Sequence, residues 1–128
     1  MSRLSRFFLA VGGMDVFTGL LLVLGPGFTL GLMGLGQQPT EPVFLSWIGV
    51  FVASVGACYW LPYLVDPQNR KSNIRFSLAF TAMARLLVGS FVAVKVATGN
   101  LESGWLLVSL ADLGLGLVQI VVLARRTV

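Results

Sequence analysis

Four stretches of this sequence are almost wholly apolar, and each is long enough to cross the hydrocarbon core of a bilayer. They cover residues 6–24, 43–64, 73–97 and 103–124, and a helix that spans the core needs about 20 residues at 1.5 Å rise each. Only 11% of the residues are charged, against about 25% in soluble domains. A soluble fold of this size would expose more apolar surface than soluble monomers tolerate. The sequence therefore predicts an all-α integral membrane protein, a single domain over residues 1–128 built as a left-handed four-helix bundle with four transmembrane spans.

Turn-forming residues separate the predicted spans. The breaker at residues 25–27, Gly-Pro-Gly, ends the first span, and Pro39 and Pro42 form a turn before the second. Ser72 or Asn73 is the expected N-cap of the third span. These signals give the predicted helices defined ends.

Two further segments are apolar but are not predicted to be independent spans. Residues 28–35, between the first two spans, are too short to cross, and we expect them to lie in the membrane interface or to fold partly back. A plain connecting segment is the commoner role for such a stretch, and a lid or lateral gate is the functional alternative.

The N-terminal run faintly resembles a signal peptide, but no small-residue cleavage site follows and Asp15 interrupts the run. A retained helix is expected there.

The basic residues predict the orientation. Seven of them share one side of the membrane if both termini are cytoplasmic: Arg3, Arg6, Arg70, Lys71, Arg75, Arg125 and Arg126. The opposite loops carry Glu41 and Glu102, and Lys95 is near enough to the end of its helix to snorkel. The positive-inside rule therefore predicts cytoplasmic N- and C-termini and the lipid bilayer as the first partner. The net charge of +4 is not expected to bind nucleic acid, because no basic stripe is interleaved with aromatic residues.

Three ionisable residues lie inside the predicted spans, namely Asp15, Arg85 and Asp112. From the helical rise, each lies roughly 15–20 Å from the cytoplasmic side, so the three can share one layer. A charge at that depth costs at least about 2.5–3.5 kcal/mol on insertion scales, so the three should face inward and pair. The planar guanidinium of Arg85 can serve both carboxylates, as a lysine could not. The sequence predicts a buried Asp–Arg–Asp cluster.

Polar and small residues recur on the same helix faces as these charges. In chain order the predicted faces hold Gly12, Asp15, Thr18 and Gly19; Ser46, Gly49, Ala53 and Gly56; Ser77, Thr81, Arg85 and Gly89; and Trp105, Ser109, Asp112, Gly116 and Gln119. Small residues let helix backbones approach closely, and hydroxyl groups bond across helices. Together with the three charged residues, Thr81, Ser109 and Gln119 are the polar candidates for binding a ligand.

No metal or cofactor is predicted. Histidine is absent and Cys58 is the single cysteine, which removes the commonest metal ligand and any internal disulfide.

One arginine against two aspartates leaves one excess negative charge in the predicted cluster. The structural interpretation is that one aspartate is neutral and the cluster fixes helix register. The functional interpretation is that the second carboxylate awaits a proton, a cationic ligand or a polar substrate group.

Three classes of function remain open from the residues. A non-catalytic accessory or assembly subunit of a membrane complex is favoured, since the chain is small and poor in reactive groups. A pocket for a lipid, quinone or other small amphiphile is the first alternative. It would lie above or below the charge layer, lined by Trp47, Tyr59, Trp60, Tyr63 and Trp105, with Trp47 and Tyr59 as the binding residues. Trp60, Tyr63 and Trp105 are better explained as an interfacial belt. A metal-independent acid–base enzyme using Asp15, Arg85 and Asp112 is the second alternative. Glycine-rich helix faces also permit a homo-oligomer.

Several short motifs resemble those of small four-helix bacterial membrane proteins of the DoxX-like kind and allied uncharacterised families. They are Gly25-Pro26-Gly27 with Leu30-Gly31-Leu32, Trp47-Ile48-Gly49, Ala84-Arg85-Leu86-Leu87-Val88-Gly89, and an acidic residue in the fourth span. The resemblance implies a bacterial inner-membrane protein of mostly undefined role, in a group sometimes linked to redox or quinone systems. The lack of histidine and of a cysteine pair argues against a redox role here.

Overall fold

The computed structural model describes residues 2–36 and 41–128, and the regular elements in these two stretches are all helical. They are α1 (Arg3–Leu24), α2 (Pro26–Leu32), α3 (Pro42–Cys58), α4 (Leu61–Leu64), α5 (Arg70–Ala97), a 3-10 turn (Ser103–Trp105) and α6 (Leu106–Ala124). The all-α prediction is confirmed. Pro39, one of the two predicted turn prolines, lies outside the described residues.

Three of the described helices are long and apolar enough to cross a membrane. They are Arg3–Leu24, Arg70–Ala97 and Ser103–Ala124, the last including the 3-10 turn. Pro42–Cys58 is a shorter apolar helix of 17 residues. The predicted interfacial segment forms the short helix α2, with Pro26 at its first position, where a missing N–H costs no helical hydrogen bond.

The predicted second span is divided into two helices. Tyr59 N donates to Gly56 O at 3.2 Å and Trp60 N to Ala57 O at 2.9 Å, which are the tighter bonds of a helix end. Pro62 has no N–H to donate four residues back, so the regular ladder cannot pass through this point. The prediction of one continuous helix over residues 43–64 was wrong here, and Tyr59 lies at the break.

The third long helix begins earlier than predicted. Its N-cap is Asn69, which makes no side-chain capping bond, so the prediction of a cap at Ser72 or Asn73 was wrong. Asn69 instead donates from its backbone N and its Nδ2 to the carboxylate of Asp66, at 3.3 Å and 2.8 Å. This turn directs the chain into a helix that already includes Arg70.

The first close helix pair is α1 with α3, which run antiparallel. Gly12 lies against Gly56 and Gly19 against Gly49. A Cβ added at Gly19 would lie 2.5 Å from both Ala53 N and Gly49 O. The predicted small-residue face of α3 therefore packs directly on α1.

The second close pair is α5 with α6, also antiparallel. Ser109 Oγ donates to Gly89 O at 2.8 Å, and a Cβ added at Gly116 would lie 3.0 Å from the side chain of Leu86. No Cα atom of α1 lies within 8 Å of one in α5 or α6. Side chains, rather than close backbones, therefore join α1 to the second pair.

Apolar clusters close the molecule at both ends. One consists of Phe8, Val11, Tyr59, Leu78 and Val122, and so includes members of both pairs. The other is formed by Leu30, Leu35 and Leu45, with Met33 and Trp105 packed against it. The three charged residues of the helix interiors, Asp15, Arg85 and Asp112, lie between these two clusters along the helices.

Candidate functional site

Arg85 is the centre of the predicted charge cluster. Its Nη1 donates to Asp112 Oδ1 at 2.7 Å, and its Nη2 donates to Asp15 Oδ2. The residue is only 5% exposed. The guanidinium of Arg85 on α5 thus binds the carboxylates of both Asp112 on α6 and Asp15 on α1. This is the pairing predicted from the similar depths of the three residues.

Tyr59 extends the cluster to the end of α3. Arg85 Nε donates to Tyr59 Oη at 2.9 Å, and that hydroxyl donates to Gln119 Oε1 at 2.6 Å. Arg85 Cζ also lies 5.6 Å from the centre of the Tyr59 ring, within cation–π range. The hydroxyl therefore accepts on one side and donates on the other.

Gln119 completes the network on α6. Its Nε2 donates to Leu78 O at 2.9 Å and to Thr81 Oγ1 at 2.8 Å. Thr81 Oγ1 in turn donates to Ser77 O at 2.7 Å. Both Gln119 and Thr81 are completely buried. Asp15, Tyr59, Thr81, Arg85, Asp112 and Gln119 form one continuous network, which we call the charge network.

The close packing of α1 on α3 sets the position of Asp15. A Cβ added at Gly56 would lie 2.8 Å from the Cβ of Asp15, so Asp15 lies in the seam between these helices. From this position the carboxylate accepts from Arg85 Nη2. The small residues on α3 therefore position a charged side chain on α1.

The charge network satisfies its own buried polar atoms. Across residues 2–36 and 41–128, every buried side-chain nitrogen or oxygen atom has a hydrogen-bond partner. Each aspartate gives one oxygen atom to Arg85, and the Asp15 and Asp112 side chains remain 12% and 17% exposed. The second oxygen atom of each aspartate makes no bond to Arg85.

The other predicted binding residues lie apart from the network. Ser109 bonds to Gly89 O inside the α5–α6 seam. Trp47 is 61% exposed, on an outer face of α3 beside Phe44 and Phe51. Among the aromatic residues singled out from sequence, only Tyr59 belongs to the network.

The bridging role of Tyr59 was missed at the level of sequence. We expected it to line a pocket, whereas it connects Arg85 to Gln119 by hydrogen bonds. The available signal was a tyrosine inside an apolar run, because a buried tyrosine hydroxyl usually has a hydrogen-bond partner. The partner itself could not be read from spacing along one helix.

A small cavity adjoins the network at Tyr59. Its volume is about 10 Å³, with Ser5, Phe8, Leu78 and Val128 among the lining residues. That is the space of about one water molecule. Within the part of the chain that the structure describes, no group of three His, Cys, Asp or Glu residues could hold a metal ion.

No family model, no curated protein and no solved structure matches this chain. The resemblance to DoxX-like proteins stays a prediction. The role of the charge network has to be argued from its geometry.

Proposed function

We propose that this chain is an integral membrane protein that crosses the bilayer four times. Three helices have the length and apolarity that a span requires. The fourth, α3, covers roughly 26 Å at 1.5 Å per residue, and α4 continues beyond its end. Because α3 packs antiparallel along α1 from Gly12 to Gly19, it occupies the same depth as a helix that qualifies as a span.

We further propose that both chain ends face the cytoplasm, across a bacterial inner membrane. Seven of the eight basic residues near helix ends would then lie on the cytoplasmic side, with Lys95 the exception, and the positive-inside rule favours this arrangement. Large apolar side chains on the outer helix faces support insertion, since Phe17, Phe51 and Phe76 are 63%, 63% and 72% exposed. Lipid is the solvent that such faces suit.

For the role of the chain, we propose a non-catalytic accessory or assembly subunit of a membrane complex. The observation that carries this is the charge network itself, whose buried polar atoms all bond to other parts of the same chain. The cavity beside it has room for about one water molecule. Because the charge network bonds within the chain, its role is to hold the two helix pairs together. The outer helix faces are then the surface that partner proteins would contact.

Binding of a small amphiphile is a second candidate, and one observation favours it. Asp112 contributes a single oxygen atom to Arg85 while 17% of its side chain is exposed. An amphiphile with a hydroxyl or ammonium group could therefore donate to the second oxygen atom. Asp15, Arg85 and Asp112 are also the groups that an acid–base reaction would use. Such a reaction would require that a substrate reach the Asp112 carboxylate, as amphiphile binding does.

Native mass spectrometry of the protein, extracted with its surrounding lipid from its own membrane, separates these roles. An accessory subunit is expected to carry other membrane proteins in one fixed mass ratio. A chain without protein partners that carries one reproducible small adduct would contradict the accessory role and support the second candidate. Asp112→Asn is the matched variant, because it should release such an adduct but leave a protein complex intact.

A further inference from the structure

Five basic residues gather where α5 begins and α6 ends. Arg75 donates from Nη1 to Val128 O at 2.7 Å and from Nη2 to Leu123 O at 3.1 Å, which holds the end of α6 against the first turns of α5. The group, which we call the basic rim, consists of Arg70, Lys71, Arg75, Arg125 and Arg126. In the described part of the chain, no Asp or Glu side chain forms an ion pair with any of the five. Both Nη atoms of Arg75 already donate to oxygen atoms of the chain, so the charge available to an external anion is that of the exposed Arg70, Lys71, Arg125 and Arg126.

A bowl opens within the basic rim. It is a shallow, open depression lined by Gln68, Asn69, Lys71, Ser72 and Arg75. Cationic, amide and hydroxyl donors line it, and phosphate oxygen atoms accept bonds from such groups.

The acidic residue next to the bowl does not cancel its charge. Asp66 accepts bonds from the side chain and the backbone of Asn69, and these bonds lower the pKa of the Asp66 carboxyl below its usual value. Asp66 is therefore ionised at neutral pH. Within residues 66–75, its one negative charge stands against the three positive charges of Arg70, Lys71 and Arg75, which leaves a local excess of two positive charges.

An apolar path begins beside the bowl. Phe76 and Phe80 follow Ser72 at four-residue steps, so the three lie on one face of α5. Phe76 is 72% exposed and Phe80 is 45% exposed. A polar bowl continued by exposed apolar side chains fits a molecule with a charged head and a hydrocarbon tail. A free phosphate ion would use only the bowl.

We propose that the basic rim binds an anionic phospholipid, with its phosphate in the bowl beside Lys71 and an acyl chain along Phe76 and Phe80. This inference rests on the proposed membrane insertion and orientation, and it is independent of the accessory role. Anionic lipids of the cytoplasmic leaflet attract basic segments close to the membrane. The rim would fix the depth of α5 in the bilayer.

The full chain in nanodiscs of equal phosphatidylglycerol and phosphatidylcholine provides the test, with retained lipids counted by native mass spectrometry. Phosphatidylglycerol is expected to be retained in preference. Lys71→Gln should reduce that preference about fivefold, which is the contribution of one basic residue near an anionic surface. Lys71 is exposed, so the variant is expected to fold. Lys95→Gln is the control, since it makes the same change at the opposite end of the same helix and should leave the preference unaltered.

Equal retention of the two lipids would overturn the proposal, as would an equal effect of Lys71→Gln and Lys95→Gln. Displacement of the lipid by inorganic phosphate, beyond the effect of chloride at equal ionic strength, would indicate a phosphate site and also overturn it. Topology labelling of the same samples separates the two proposals. A correctly inserted chain without lipid preference contradicts the lipid site alone, whereas a chain that does not insert contradicts both.

Discussion

Tyr59 and Gln119 join the two helix pairs through a hydrogen bond of 2.6 Å, from the tyrosine hydroxyl to the amide Oε1. The same hydroxyl accepts from Arg85 Nε at 2.9 Å. One oxygen atom at the end of α3 therefore connects the arginine of α5 with the amide of α6. Tyr59 is only 4% exposed, so this connection lies in the interior of the bundle.

Tyr59→Phe tests this connection. The change leaves Arg85 Nε and Gln119 Oε1 without a bonding partner in a buried site, and each such group costs about 1–3 kcal/mol. We expect the free energy of unfolding, measured by denaturant titration in detergent micelles, to fall by at least that amount. Tyr63→Phe removes an equivalent hydroxyl for which the structure gives no hydrogen bond, and it should change stability little. Equal effects from the two variants would contradict the bridging role.

Arg85→Met should destabilise the fold more than either Asp15→Asn or Asp112→Asn. Loss of the arginine leaves two carboxylates without their cation, and breaking a buried pair in this way costs about 3–5 kcal/mol. An asparagine can still accept a bond from Arg85, so each of these variants should lose less than about 3 kcal/mol. Thermal melts in detergent rank the three. An Arg85→Met protein as stable as the parent would rule out the shared guanidinium.

The close approach of α1 and α3 predicts opposite effects at two glycines of one helix. A Cβ at Gly19 would lie 2.5 Å from backbone atoms of α3, whereas nothing lies within 4 Å of a Cβ at Gly13. Gly19→Ala must push the helices apart and should cost about 1–3 kcal/mol or more. Gly13→Ala should be neutral or stabilising by up to about 1 kcal/mol, because alanine favours the helix. The two melting temperatures, relative to the parent, provide the check. Similar shifts at both positions would show that α1 and α3 are not closely packed.

The proposed topology of four spans predicts on which side of the membrane each loop and the C-terminal segment lie. The single cysteine simplifies the measurement, since Cys58→Ala leaves a background for new cysteines. In right-side-out vesicles, a membrane-impermeant maleimide should label Gly36→Cys at once, and Gln68→Cys and Thr127→Cys only after permeabilisation. Labelling of Gly36→Cys and Gln68→Cys on the same side would mean that α3 does not cross.

The charge cluster could be predicted from sequence because ionised groups buried in an apolar layer must pair with one another. Asp15, Arg85 and Asp112 lie at similar depths along predicted helices, and charges inside apolar segments pair with one another. Thr81 and Gln119 followed from helical spacing. Trp47 was expected to line a pocket above or below these charges but lies on the outer face of α3, because helical periodicity gives no absolute direction to a helix that is apolar on most sides.

The sequence by itself determined the long helices α1, α5 and α6 and their polar faces. A long apolar run must satisfy its backbone internally, and Gly, Pro and Asn residues mark its ends, so predicted and observed limits of α1 and α5 differ by only three residues. Only the tertiary structure decided that α1 pairs with α3, that α5 pairs with α6, and that Tyr59 connects Arg85 to Gln119. Those relationships depend on how glycine surfaces and side-chain shapes fit between helices far apart in the chain, and no local pattern of hydrophobicity encodes that fit.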